Sequence, residues 1–133
     1  MHKLIYLLIL LSCIRVSGQK VYFKEYFGNG KIKSEGWLIE GQKVDYWLYY
    51  YENGDKKEEG HFANNKKSKW WIFYNIKDEV SKKCEFANDK MHGLCLIYKD
   101  GAIIRAEKYQ MGKKIKQWNS IKEFKKDNPI YLL

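Results

Sequence analysis

At 133 residues the chain has room for one domain. Its formal charge is +9, from 25 lysines and arginines against 16 carboxylates. Such an excess favours anionic partners: membrane or envelope surfaces, acidic proteins and polyanionic glycans.

The first 18 residues read as an export signal. Lys3 gives a positive start and Leu4 to Leu11 an apolar run too short to cross a bilayer as a stable helix. Val16-Ser17-Gly18 then supplies small residues before Gln19, so cleavage is expected there, leaving a mature chain of charge +7. Two alternatives stay open. Leu10-Leu11-Ser12-Cys13 resembles a bacterial lipoprotein processing site, which would anchor the protein through a lipidated Cys13, and the apolar run could instead be a buried strand or a short anchor. Export argues against nucleic acid as a partner. So does the single arginine left after cleavage, Arg105, because bidentate base contacts rest largely on arginine.

From Gln19 onward the chain repeats. Trp47, Tyr50-Tyr51, Asn53-Gly54, Glu59-Gly60, Phe62, Asn64 and Trp71 mark one copy. Shifted back by 24 the marks fall on Tyr26, Asn29-Gly30, Glu35-Gly36, Leu38, Gly41 and Trp47. Shifted forward by 24 they give a degenerate copy with Tyr74, Phe86, Asn88-Asp89 and Cys95, and a last copy, one residue shorter, runs through Tyr98, Asp100-Gly101, Tyr109, Gly112 and Trp118. A fixed period of this size signals a repeat architecture. Asn29-Gly30, Asn53-Gly54 and Asp100-Gly101 read as two-residue hairpin turns, Lys77-Asp78 as a looser one. Wider turns are expected around Gly41, Asn64-Asn65, Asn88-Asp89 and Gly112. The expected fold is all-β: an elongated antiparallel meander of about four hairpins over 19–118, with no linker to a second domain. Ser120 and Glu123 fit a capping box, so a short helix near 120–127 should cap the last repeat, followed by the apolar end Ile130 to Leu133.

Turn positions set register. Two-residue turns would put Trp47 opposite Gly60 and Tyr50 opposite Lys57, and one rung across the sheet would read Phe23, Gly36, Trp47, Gly60, Trp71. A glycine in a strand weakens it unless something large covers its backbone, and here an indole lies on either side. In the last copy either Ala106 or Glu107 takes the glycine's position, with Ala106 favoured for its size. The same face carries Leu38, Tyr49, Phe62, Phe73, Val80, Phe86, Ile97 and Ile104, and is expected to be the core. On the opposite face, rows such as Tyr46-x-Leu48-x-Tyr50 alternate with charged rows such as Lys57-x-Glu59 and Lys83-x-Glu85. That face should be solvated, with lysine stems covering the rings.

The pattern Trp-x-x-Tyr-Tyr-x-Asn-Gly, Glu-Gly-x-Phe, Asn-x-Lys, as it stands in Trp47 through Lys66, resembles the MORN repeat family (membrane occupation and recognition nexus). It is most similar to the bacterial variant known as YwqK-type antitoxin repeats, over about residues 22–118. The resemblance implies successive antiparallel hairpins and a role in binding or scaffolding. An antitoxin or immunity role, neutralising a toxin by direct binding, is the second function that it implies.

No catalytic constellation stands out. His61 and His92 have no serine or carboxylate at a motif spacing, so an enzyme is not expected. Cys84, His92 and Cys95 lack a fourth zinc ligand and a Cys-x-x-Cys knuckle, so neither a metal nor a cofactor is expected. A binding module remains, directed at another protein or an anionic envelope surface, with Tyr26, Tyr50, Trp70, Tyr74, Tyr98, Lys57 and Lys83 as candidate contacts. A cross-strand packing ladder is the competing role for the tyrosines. Cys84 and Cys95 stand in the positions that Gly60 and Trp71 hold one copy earlier, so they should face one another and form a disulfide if the chain is exported, or else a reduced buried pair. Gly36, Trp47, Gly60, Trp71 and Trp118 are the structural positions of the repeat.

Overall fold

In the computed structural model residues 18–131 are described, so cleavage before Gln19 and lipidation of Cys13 concern a segment outside the described residues. Nine strands follow in order: β1 (Lys20–Tyr26), β2 (Ile32–Ile39), β3 (Gln42–Tyr50), β4 (Lys56–Ala63), β5 (Lys66–Tyr74), β6 (Val80–Ala87), β7 (Lys90–Lys99), β8 (Ala102–Gln110) and β9 (Lys113–Trp118). Each pairs antiparallel with the next, giving one open meander of nine strands, and α1 (Ile121–Asp127) follows. Ser120 caps α1 by accepting from the Glu123 N–H (3.1 Å), while the Glu123 carboxylate accepts from the Asn119 N–H (2.8 Å).

Except at Asp100-Gly101, which is tight as expected, the two kinds of turn exchange the roles expected of them. The connections at Glu40-Gly41, Asn64-Asn65, Asn88-Asp89 and Met111-Gly112 are the tight ones, each with both residues at positive φ. Asp100-Gly101 is a fifth of this kind. At Asn29-Gly30 and Asn53-Gly54 only the glycine has positive φ (+83° and +97°). There Gly54 N–H donates to Tyr51 O (2.9 Å) and Tyr51 N–H to Asp55 O (2.8 Å), a turn one residue longer whose glycine begins a bulge. Asn53 is held out of the left-handed region because its Oδ1 accepts from the Asp55 N–H (2.9 Å). The third copy, expected to be looser, is closed in the same way: Asp78 (φ +59°) takes the glycine's place and Asn75 Oδ1 accepts from the N–H groups of Lys77 and Glu79. The longer turns move the register by one, so Tyr50 faces Lys56, and Lys57 is the unpaired bulge residue. The same displacement sets Val80 opposite Tyr74, off the expected core face, and beyond the tight Asp100-Gly101 turn Ile104 is a bulge residue, 44% exposed.

A second bulge recurs in the other half of each hairpin and restores the rung. Gly36 faces Trp47 but Trp37 faces Val44, so Asp45 and Tyr46 are extra residues on β3. Gly60 faces Trp71 but His61 faces Ser68, leaving Lys69 and Trp70 extra on β5. Asp45 and Lys69 adopt positive φ (+56° and +59°) there. Each bulge presents carbonyls to an indole: Trp47 Nε1–H donates to Trp37 O (3.1 Å) and Trp71 Nε1–H to His61 O (3.0 Å). The ring then lies flat on the glycine of the strand before. A Cβ placed on Gly36 or Gly60 would overlap the indole of Trp47 or Trp71, so only glycine fits. The rung Phe23, Gly36, Trp47, Gly60, Trp71, Cys84, Cys95 runs unbroken across seven strands.

Two hydrophobic cores result, on opposite faces. Trp47, Phe62 and Trp71, with Leu38, Tyr49, Phe73 and Phe86 around them, occupy the rung's face. Leu94, Leu96, Ala106, Trp118 and Phe124, joined by Trp70, Tyr98 and Ile121, occupy the other face beneath α1. The second face is therefore solvated only in its N-terminal part. Its C-terminal part is a core.

Candidate interaction surface

On the rung's face the rings are roofed by two lysines that the repeat places 24 residues apart. Lys43 Nζ lies 4.8 Å from the Trp47 ring centre and 5.2 Å from both the Tyr49 and the Phe62 centres, and donates to Tyr49 Oη (2.8 Å). Lys67 repeats the arrangement over Trp71 (4.1 Å), Phe73 (5.3 Å) and Phe86 (5.4 Å), with Glu58 at 3.2 Å. Ammonium groups over ring faces are held by the ring quadrupoles. Burial holds Lys43 below the ordinary lysine value, with Glu25 pulling the other way. These two lysines were not singled out from sequence, although their equal offset from Trp47 and Trp71 was there to be read. They close this face.

The opposite face carries the candidate residues. Tyr50 Oη donates to Glu35 (2.9 Å) and Tyr74 Oη to Glu59 (2.7 Å), the same bond one repeat on. Burial, and then the bond to Glu35, pushes the Tyr50 hydroxyl up to about 12; the same two causes, with Glu59 as acceptor, push Tyr74 well above the ordinary tyrosine range. Glu59 is only 7% exposed and is balanced by Lys56 (3.3 Å), whose ammonium also sits 5.3 Å from the Tyr74 ring centre. In the third copy Lys83 replaces the glutamate and lies 5.4 Å from the Tyr98 ring centre. Beside this ladder stand two edge-to-face pairs, Tyr22 with Trp37 and Tyr46 with His61, each with centres 4.9 Å apart.

Of the candidates, Tyr50, Tyr74, Tyr98 and Lys83 thus share one ladder, half-buried, with two hydroxyls already committed to carboxylates. Trp70 projects from the β5 bulge opposite Glu85 and leans on the C-terminal core. Tyr26 lies apart on the edge strand β1, 56% exposed, and Lys57 projects from its bulge near Tyr51 (5.9 Å). Cys84 and Cys95 face each other in register, fully buried, with Cα atoms 4.0 Å apart and the sulfurs joined as a disulfide. Closing so short a loop contributes about 2–3 kcal/mol. Among the described residues no cluster of three or more His, Cys, Asp or Glu is arranged to hold a metal ion. No helix among them is long and apolar enough to cross a membrane.

Charge is distributed unevenly. Residues 18–98 hold 14 lysines against 12 carboxylates, whereas residues 99–131 hold nine lysines and arginines against four. The chain matches no known family model, and no curated protein shows significant similarity to it.

Proposed function

We propose that the protein is a non-catalytic, exported module of the MORN-like kind, which binds another protein or an anionic envelope surface through the face that carries Tyr50, Trp70, Tyr74 and Tyr98. The observation that carries this reading is the repetition of half-exposed aromatic rings on one face of consecutive hairpins at 24-residue intervals. The Tyr–Glu bonds fix ring orientation before any partner arrives, which lowers the ordering cost of contact. The net positive charge, concentrated in the C-terminal third, suits an anionic partner and accelerates encounter with it.

The test is co-sedimentation of purified protein with envelope fragments of its host and with phosphatidylglycerol vesicles, at low and high salt. Tyr50→Ala and Tyr74→Ala should each weaken envelope binding about tenfold, as loss of one aromatic anchor does. Binding that tolerates both substitutions and vanishes in salt would assign recognition to the lysines alone. No retention under either condition would remove this surface from consideration.

A further inference from the structure

The two ends of the sheet differ in how they meet solvent. β9 carries Lys113, Lys114 and Lys116 along a six-residue edge, the usual protection against a second strand. β1 carries only two lysines, Lys20 and Lys24, on either side of Val21-Tyr22-Phe23. Val21, Tyr22, Phe23 and Tyr26 are 41–56% exposed on its seven residues. Each of its charged residues has a partner within the chain: Lys20 with Asp45, Lys24 with Glu35 (3.7 Å), and Glu25 with Lys33 (3.1 Å). β1 pairs only with β2, so its outer row of backbone N–H and C=O groups has no strand partner among the described residues.

We propose that β1 pairs antiparallel with β1 of a second copy, across a twofold axis, making one continuous sheet of two chains. Antiparallel neighbours place directly opposite side chains on the same face, and the sequence selects one register. Centring the axis on Phe23 sets Phe23 against its own copy, Lys20 against Tyr26, Tyr22 against Lys24 and Val21 against Glu25. Lysine then lies within reach of a ring across the seam, as Lys56 does of Tyr74 and Lys83 of Tyr98 on the diagonals of the sheet. Centring on Tyr22 would oppose Lys20 to Lys24 twice, and centring on Lys24 would oppose that lysine to itself. Like charges directly opposite are unfavourable, and the Phe23 register is the one that pairs all seven residues of the strand. A twofold pairing of this kind closes as a dimer, because the far edges are the lysine-bearing β9 strands.

Sedimentation velocity on the full chain tests this, with hydrogen exchange on the same samples. The expected species has twice the 16.0 kDa chain mass, with slow exchange at β1. Tyr22→Lys, which opposes the new lysine to Lys24, should return the protein to monomer with its melting curve otherwise retained. Tyr22→Glu, which opposes a carboxylate to Lys24 of the second copy, should keep the dimer through a new ion pair, and Phe23→Lys, which sets two lysines on the axis, should abolish it. A monomeric wild-type chain would overturn the proposal, whether its β1 amides exchange freely or are protected by residues 1–17. A dimer unmoved by Tyr22→Lys and Phe23→Lys would overturn it equally.

Discussion

The middle of the sheet and its C-terminal end are built from the same repeat, yet they bury their tryptophans on opposite faces. Between Gly60 and Trp71 the β5 bulge holds two extra residues; between Glu107 and Gln117 the β9 bulge holds one, Ile115. Because strand side chains alternate with period two, that single residue decides the side on which Trp118 falls. Trp118 faces Ala106, and it is Glu107 that continues the rung opposite Cys95. A small residue does lie against a tryptophan there, on the other face. The rung tolerates Glu107 (4% exposed) because Arg105 Nε (2.9 Å), Lys114 (3.6 Å) and the Tyr109 hydroxyl (2.7 Å) compensate its charge. The switch supplies the floor on which α1 packs: Phe124 stands edge-to-face on Trp118 at 5.1 Å and is fully buried. A repeat thus ends by changing face, and the helix covers what a further hairpin would have covered.

The largest separation of the two regions should come from the tryptophans themselves. Trp71→Ala removes a fully buried indole that touches Phe62 (5.1 Å) and Phe86 (6.3 Å), and should cost about 3–5 kcal/mol in urea unfolding. The loss should spread to both flanking hairpins and reduce the cooperativity of the whole sheet. Trp118→Ala should release α1 while β3–β6 keep their exchange protection, because its cluster shares no buried residue with that of Trp71. Equal loss of protection in β3–β6 from both substitutions would show that the two cores are one cooperative unit.

Much of this frame is readable from the residues. The 24-residue period, the Gly–Trp rung, the facing cysteines and the capped helix all follow from residue type and spacing. What the sequence does not display is where the extra residues of each turn reside. Asn53-Gly54 looks like a two-residue turn, but Asn53 keeps negative φ, and Asn64-Asn65 takes the tight geometry that glycine was expected to mark. In each case a bulge next to the turn offsets the misplacement, which is why the rung comes out in register although the turns do not. In the last copy the offsets no longer cancel, and the face of Trp118 is lost to inspection for that reason. The candidate surface was legible as rows of tyrosine, not as Tyr–Glu hydrogen bonds, since Tyr50 reaches Glu35 diagonally, past the Leu48 that faces it.

The comparison can be inverted with one residue. Inserting a serine after Lys116, beyond the bulge, would move Trp118 one position along β9, opposite Arg105 on the rung's face. Phe124 would then lose its ring partner, and α1 should detach, at a cost on the order of 2–3 kcal/mol for one buried aromatic. Circular dichroism should lose the small helical contribution while the β signal persists. A second serine, inserted beside the first, would turn Trp118 back and should recover much of the helix. If one insertion leaves α1 docked, the strand parity of Trp118 does not select the face.

The smallest effect is electrostatic and belongs to the C-terminal end. Asp127 Oδ2 accepts from Lys116 Nζ (2.8 Å) and from Trp118 Nε1–H (2.8 Å), tying the last residue of α1 to β9. The bond from Lys116, then that from Trp118, holds the Asp127 carboxyl below its ordinary value. A carboxylate depressed in the folded state stabilises fully above its unfolded pKa, about 3.9, and loses that contribution as pH falls through the lower folded value. Glu25 is depressed likewise by Lys33 and Ser34, but it tethers only the edge strand β1. Between about pH 4 and pH 2 exchange should therefore accelerate first at α1 and β1, with β4 and β5 protected longest. Asp127→Asn keeps an acceptor for the indole and removes the charge, so it should flatten the pH dependence at α1 and leave that at β1 untouched. Exchange that rises uniformly along the chain would mean that acid acts through net charge, and that the Asp127 tether does not hold the helix.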